Sequence, residues 1–355
     1  MAGRLKDQTS IIDCNDEGIF YAEAEVDGHI SDLLKNPDVQ ILDQLSPSKS
    51  SSGNIAGAKE LLAIQVNFFR CGGFAIGICQ SHRMADGSTL CSFIKSWAAT
   101  AAKTCGTSNL FYLPVYNSAS LFPPRDSSDF RPDPKAPSIQ PPAEKLVTKR
   151  FVFSSTQVEL LKSKAMASRV QVVSAYIWKC CMAAKGLGKN DTSVAFHPVN
   201  LRRRICPQMS DFSFGNIFQM CCAVTNNGGA EDWIGLVEKL RSAIGKIDQK
   251  FCEKLLGENG YEVAKGNFNE IRKYLLQKDV HVVRFSSWCG FPLYEADFGW
   301  GNPIWLSSTS YSCKNHVFLF DSRSPGGIEA WIVMAESEMA KFEQRYGEIL
   351  KRAIT

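Results

Sequence analysis

Phe74-Ala75-Ile76-Gly77-Ile78-Cys79-Gln80-Ser81-His82-Arg83-Met84-Ala85-Asp86-Gly87 is the stretch on which the reading of this chain turns. The apolar segment 74–79 reads as a strand. From Gly87 to about Lys103 the apolar positions Leu90, Phe93, Ile94 and Trp97 recur at helical spacing. The order is strand, short loop, helix, and the loop sets His82 at the strand end. An imidazole in that setting can face a cleft and take a proton from a hydroxyl or thiol. Asp86 stands four residues on, where the helix begins. Its expected duty is a buried ion pair that fixes the His82 loop, and Arg202-Arg203-Arg204 supplies the cations.

Outward from this loop the chain alternates strand and helix patterns. Thr9 to Cys14, Gly18 to Val26 and Leu61 to Phe69 read as strands, with turns at Asn15-Asp16-Glu17-Gly18 and Cys71-Gly72-Gly73. A proline-rich polar passage, 123–148, reads as a crossover or linker. Beyond it come a strand at Lys149 to Phe153, helices at Ser155–Ala167 and Val170–Ala184, and a strand at Ser193–Pro198. A helix from Trp233 to about Lys250, strands near Val280–Phe285, His316–Phe320 and Gly327–Met334, and a tail helix Glu336–Lys351 complete the pattern. The fold class is α/β, with mixed sheets flanked by helices in two domains, 1–122 and 149–355.

Composition narrows the function. With 355 residues, 45% hydrophobic and 21% charged, the chain has the balance of a globular protein with room for two cores. A formal charge of +4 without a basic–aromatic stripe argues against a nucleic-acid partner. No apolar run reaches the roughly 20 residues of a membrane span, and the Met1-Ala2-Gly3-Arg4 start is not a secretion signal. Thirteen cysteines at irregular spacing suit free thiols in a reducing, cytoplasmic setting. Neither the cysteines nor the five histidines are spaced as metal ligands, so no metal is expected.

Three further clusters are dense enough to matter. Asp297-Phe298-Gly299-Trp300-Gly301 sets a tryptophan between two glycines that permit a tight turn. Ser286-Ser287-Trp288 lies just upstream, and Ser213-Phe214-Gly215-Asn216 is a third polar-glycine cluster. Gly-x-Ser-x-Gly, Gly-x-Gly-x-x-Gly and a P-loop are all missing. With no nucleophile beside it, His82 would have to activate a group on a substrate.

His82-x-x-x-Asp86 and the complete Asp297-Phe298-Gly299-Trp300-Gly301 motif, with Val199-Asn200-Leu201-Arg202 and Ser213-Phe214-Gly215-Asn216 between them, make the chain resemble the plant BAHD acyltransferases, in the branch of alkaloid and terpenoid acetyltransferases. The resemblance implies two chloramphenicol-acetyltransferase-like domains with a channel between them. It implies O-acyl transfer from acetyl-CoA or another acyl-CoA, as co-substrate rather than bound cofactor, to a small-molecule alcohol by a monomeric enzyme without a membrane partner. His82 is then the general base. Asp86, Arg202, Asp297, Gly299 and Gly301 support the site, and Ser287, Trp288, Asn216 and Trp300 are candidates for the oxyanion site or the channel. Met1-Ala2-Gly3-Arg4 resembles a Leu-Ala-Gly-Arg segment internal to the family. A first domain shortened at its N-terminus is therefore expected, with a non-catalytic binding paralogue as the alternative.

Overall fold

The computed structural model of the protein describes residues 2–6, 11–47, 60–104, 112–123 and 144–354. β1 (Arg4–Leu5) and β2 (Ile12–Asp13) form a short antiparallel ladder at the start. β3 (Phe20–Val26), β4 (Leu62–Phe69) and β5 (Phe74–Gln80) then build a three-stranded sheet in that order, parallel between β3 and β4 and antiparallel between β4 and β5. Parallel neighbours cannot be joined by a tight turn. The connection here carries α1 (Ile30–Lys35) and α2 (Val39–Gln44), the latter started by Asp38, whose carboxylate accepts from Gln40 N. β4 and β5 need only the Cys71-Gly72-Gly73 turn, where Gly72 takes a φ of 81°. Side chains alternate along β4 and β5, and Ile76 packs beneath Ile94, Trp97, Ala98 and Ala101 of α3 (Gly87–Thr104). After α3, only α4 (Ser118–Leu121) intervenes among the described residues before the second half.

The second half repeats that unit and extends it. β9 (His281–Ser287) and β10 (His316–Asp321) are parallel, β10 and β11 (Ile328–Ala335) are antiparallel, and β11 runs straight into α10 (Glu336–Ile354). β3, β4, β5 and α3 follow the same scheme. The larger sheet adds β6 (Leu146–Phe153) beside β11, and β7 (Ser193–Asn200) with β8 (Phe218–Thr225) beside β9, in the order β6-β11-β10-β9-β7-β8. α5 (Ser155–Ala165), α6 (Arg169–Lys185), α7 (Trp233–Gly245) and α10 cover one face, over Val283, Phe285, Val317, Leu319, Ala330 and Ile332. Ser154 with Gln157 and Ser168 with Gln171 form reciprocal capping boxes that start α5 and α6.

The opposite face of this sheet is the seam between the halves. At one end, Ile271 and Tyr274 of α9 (Gly260–Leu275) pack on Val194, Phe196 and Val282. At the other, Phe320 and Trp331 meet Leu33, Leu42, Leu45 and Phe69 of the first half.

Two expectations need correction. The helix expected from Trp233 to Lys250 is two helices: α7 stops at Gly245, and Asp248 accepts from Phe251 N to begin α8 (Gln249–Leu256). β6 starts at Leu146, inside the expected linker 123–148, because antiparallel pairing with β11 extends to Ala335. Most of that linker, 124–143, lies outside the described residues, as does part of the strand expected before Cys14. β8 and α9 are additions that the sequence reading lacked.

Candidate active site

The His82 loop is short and held on all sides. Ser81 N donates to Leu61 O at 2.9 Å and Met84 N to Ser81 O at 3.1 Å, which folds the loop into a turn. Gln80 Nε2 donates to Ala85 O at 2.8 Å, and Met84 and Ala85 are buried against Leu61. The loop therefore has its apolar residues inward and its histidine outward. His82 is exposed, and its ring meets Phe218 edge-on at 5.9 Å. Asn216 Nδ2 donates to the His82 carbonyl oxygen at 2.8 Å, tying the loop to the second half.

Asp86 is nearly enclosed, at 6% exposure, and Arg202 is fully enclosed, at 0%. Arg202 Nη1 and Nη2 reach Asp86 Oδ2 and Oδ1 at 2.8 and 3.0 Å, a two-point fork. Thr89 N donates to Oδ1 at 2.9 Å, so Asp86 also caps the start of α3, and Ile217 N donates to Oδ2 at 3.0 Å. A carboxylate offers about four acceptor positions, and these four donors fill them. Asp86 has nothing left for the His82 ring, which rules out a third-member role in a catalytic triad. The remaining guanidinium hydrogens go to Ser213 O, Gly215 O, Asn200 Oδ1 and Thr89 Oγ1.

The three adjacent arginines are separated by the fold. Arg203 makes an exposed pair with Asp211, and Arg204 donates to the carbonyls of Ile244 and Ile247. Only Arg202 turns inward.

Trp288 stacks on Phe320 and its ring lies 3.3 Å from where a Cβ on Gly87 would stand, which brings it to the head of α3. Ser287 is turned away: its Oγ accepts from Cys289 N at 3.3 Å, within its own turn. Ser286, one residue earlier, is on the seam face with Val282 and Arg284, because Val283 and Phe285 point into the helix-covered core. Alternation along the strand sets Ser286 and Ser287 on opposite faces, and the sheet register places Ser286, rather than the expected Ser287, on the seam.

Asp297 Oδ1 accepts from Gly299 N and Gly301 N at 2.7 and 2.9 Å. These donors hold the Asp297 carboxyl below the ordinary carboxylate range. Gly299 and Gly301 adopt φ of 104° and 111°, a region closed to most side chains. The turn drives Phe298 against Trp97, ring centres 4.9 Å apart, and leaves Trp300 60% exposed over Phe74. Trp97 is ten residues into α3, roughly 15 Å from its head. The structure thus sets Trp300 away from His82 and makes the 297–301 loop a clasp on the first half.

Two other histidines, His197 and His281, are buried, and His316 is half-buried. Burial pushes His197 and His281 down to about 4, and burial with the Arg284 charge pushes His316 down to about 3. They stand apart, His197 stacked on Phe285 beneath the sheet and His281 bonded to Ser193. His29 is exposed, but it precedes α1 beside the Cys71 turn, at the other end of β5, so His82 is the exposed histidine at the strand-to-helix loop. Among the described residues no cluster of His, Cys, Asp and Glu could hold a metal ion.

The Transferase family model matches residues 1–349. The chain belongs to the BAHD acyltransferase family. Among its BAHD relatives is limonoid 7-O-acetyltransferase of Citrus sinensis, 37% identical over 96% of this chain and 78% of the relative. Another is salutaridinol 7-O-acetyltransferase of Papaver somniferum, 34% identical over 99% of this chain and 82% of the relative. The crystal structure of vinorine synthase superposes with a TM-score of 0.78 at 33% identity, covering 96% of this chain and 78% of that one. The mixed α/β architecture described above is the BAHD architecture, and the chain is an acyltransferase.

Proposed function

We propose that the protein transfers an acyl group, acetyl first among candidates, from acyl-CoA to a hydroxyl of an alkaloid- or limonoid-type alcohol. The observation that carries this is the Asp86–Arg202 lock, which saturates the carboxylate and leaves the His82 ring free at the surface. His82 takes the acceptor's hydroxyl proton as that oxygen attacks the thioester carbonyl. The tetrahedral intermediate collapses, the C–S bond breaks, and the proton passes from His82 to the departing CoA thiolate. Transfer is direct. Burial pushes the thiols of Cys91, Cys180 and Cys221 up to about 12. Cys71, whose thiol is held below its usual range by backbone N–H groups, sits in the β4–β5 turn at the opposite end of β5 from His82. Both facts disfavour a cysteine nucleophile. Asp297, Gly299 and Gly301 act at a distance, by clasping the two halves. Trp288 and Asn216 border the base.

The described cysteines are all free, which suits the reducing cytosol in which we place the enzyme. No helix among the described residues is long and apolar enough to cross a membrane. We take the working unit to be a monomer.

Labelled acetyl-CoA and a panel of alkaloid and limonoid alcohols test the reading. Transfer by the native protein and a loss of about 10²–10⁴-fold in His82→Ala, with unfolding unchanged, is expected. No transfer to any alcohol, or transfer indifferent to His82→Ala, overturns it.

A further inference from the structure

His316 is an odd residue to find where it is. Its ring lies on Phe318 at 4.4 Å, nearly parallel, and Tyr311 closes on both rings at 4.8 and 5.3 Å. One nitrogen, Nε2, is 2.9 Å from Ser286 Oγ. The other, Nδ1, is buried without any hydrogen-bond partner. Phenylalanine would fill such an aromatic box with no orphaned polar atom, so the nitrogens cost stability. A buried polar group that weakens the fold is a reason to look for function.

The protonation state can be worked out. Burial and the charge of Arg284 keep the ring neutral, so it carries a single N–H. Orphaned buried N–H groups are rarer than orphaned acceptors, which puts the hydrogen on Nε2, the side with a partner. Ser286 Oγ is then the acceptor of that bond, and its own hydrogen must point elsewhere. Ser286 stands on the seam face, two residues before Trp288. Register pairs Phe196 with Arg284 and Asn200 with Phe218. Ser286 is therefore two strands across and two residues along from Phe218, the ring that His82 touches. That is on the order of 12 Å between backbones, which leaves room between the two side chains for a reacting group.

We infer that His316 is a positioning residue: Nε2–H donates to Ser286 Oγ and thereby turns the Ser286 hydroxyl outward, as a donor to the oxygen of the acyl carbonyl. The inference rests on the acyl-transfer reading for its purpose, not for its geometry. Orienting a hydroxyl in advance matters because a donor that must reorganise during the reaction stabilises developing charge poorly.

Three variants and one spectrum test it. Ser286→Ala is expected to lower kcat for acetyl transfer from acetyl-CoA by about 10²–10³-fold. His316→Phe keeps the stack and removes both nitrogens. It should lower kcat by about tenfold with the KM for acetyl-CoA unchanged, and melt no lower than the native protein. His316→Gln sets an amide N–H near the Nε2 position and should recover most of the rate. In the Ser286→Ala background, His316→Phe should cost nothing more.

Ring ¹⁵N spectra of histidine-labelled protein, assigned by the signal lost in His316→Phe, read the tautomer without any activity. If the native protein transfers to no alcohol, the functional reading falls while the spectrum still decides the orientation. A hydrogen on Nδ1, a fully active His316→Phe, or equal losses with and without Ser286 each overturn the inference.

Discussion

Replacing Asp86 with alanine strips four donors of their acceptor at once. Arg202 keeps the neutral oxygens of Ser213, Gly215, Asn200 and Thr89 but loses its only described counter-charge in a site with side-chain exposures of 0% and 9%. Removing one partner of a buried pair costs about 3–5 kcal/mol. The same change leaves Ile217 N and Thr89 N unpaired, and the loss of an N-cap alone is worth about 1 kcal/mol. These contributions overlap, because some relaxation serves all of them, so about 4 kcal/mol is the expected total. Domains are typically stable by about 5–15 kcal/mol, so the variant should remain folded but unfold at clearly lower urea concentration.

The discriminating assay is a double-mutant cycle in urea. Arg202→Met alone should also be costly, since it strands the Asp86 charge. Asp86→Ala with Arg202→Met removes both charges and should recover at least about 1.5 kcal/mol of the summed single losses. Stability of Asp86→Ala within about 1 kcal/mol of native, or strictly additive losses in the cycle, would refute the account of Asp86 as the lock of the loop.

Stability should fall with acid. For His197, His281 and His316 the folded values near 4, 4 and 3 lie below the unfolded value near 6.5, so the unfolded chain binds protons first as the pH drops. Nothing is lost above about pH 6.5. Between there and about pH 4 each histidine removes up to about 1.4 kcal/mol per pH unit. Urea midpoints at pH 7.0 and 5.5 measure this, and His197→Phe, which suits the stack on Phe285, should make the slope shallower. Equal midpoints at both pH values would contradict it. Phe298→Ala should destabilise by about 3–5 kcal/mol, since Phe298 is 6% exposed and wedged against Trp97. Calorimetry of that variant would show an unshifted transition if the 297–301 loop were not a clasp.

The sequence reveals most where one local pattern decides the matter. The run from Phe74 to Gly87 changes period from strand to helix within a few residues, so the place of His82 can be read directly. Arg202, Arg203 and Arg204 are alike in sequence and differ only in what the fold offers each. The same holds for Ser286 and Ser287: alternation says that they face opposite ways, and the sheet register says which way. β8 went unread because Phe218-Gln219-Met220-Cys221-Cys222 has no clear alternation, although pairing with β7 makes it a strand. α9 went unread because its sequence is mostly polar and carries two glycines, with Ile271 its one large buried side chain. Such a helix is held by what it covers.

The Asp86–Arg202 fork spans 116 residues of chain. During synthesis His82 and Asp86 leave the ribosome long before their arginine exists. At about 5–20 residues per second the loop waits roughly 6–23 seconds for Arg202 to be made, and longer for Trp288. Until then Asp86 can cap α3 but has no guanidinium to face, and the carbonyl of His82 has no Asn216 to hold it. The base is therefore assembled late, as a product of the whole chain's folding, and a nascent first half carries its histidine without the setting that would make it catalytic.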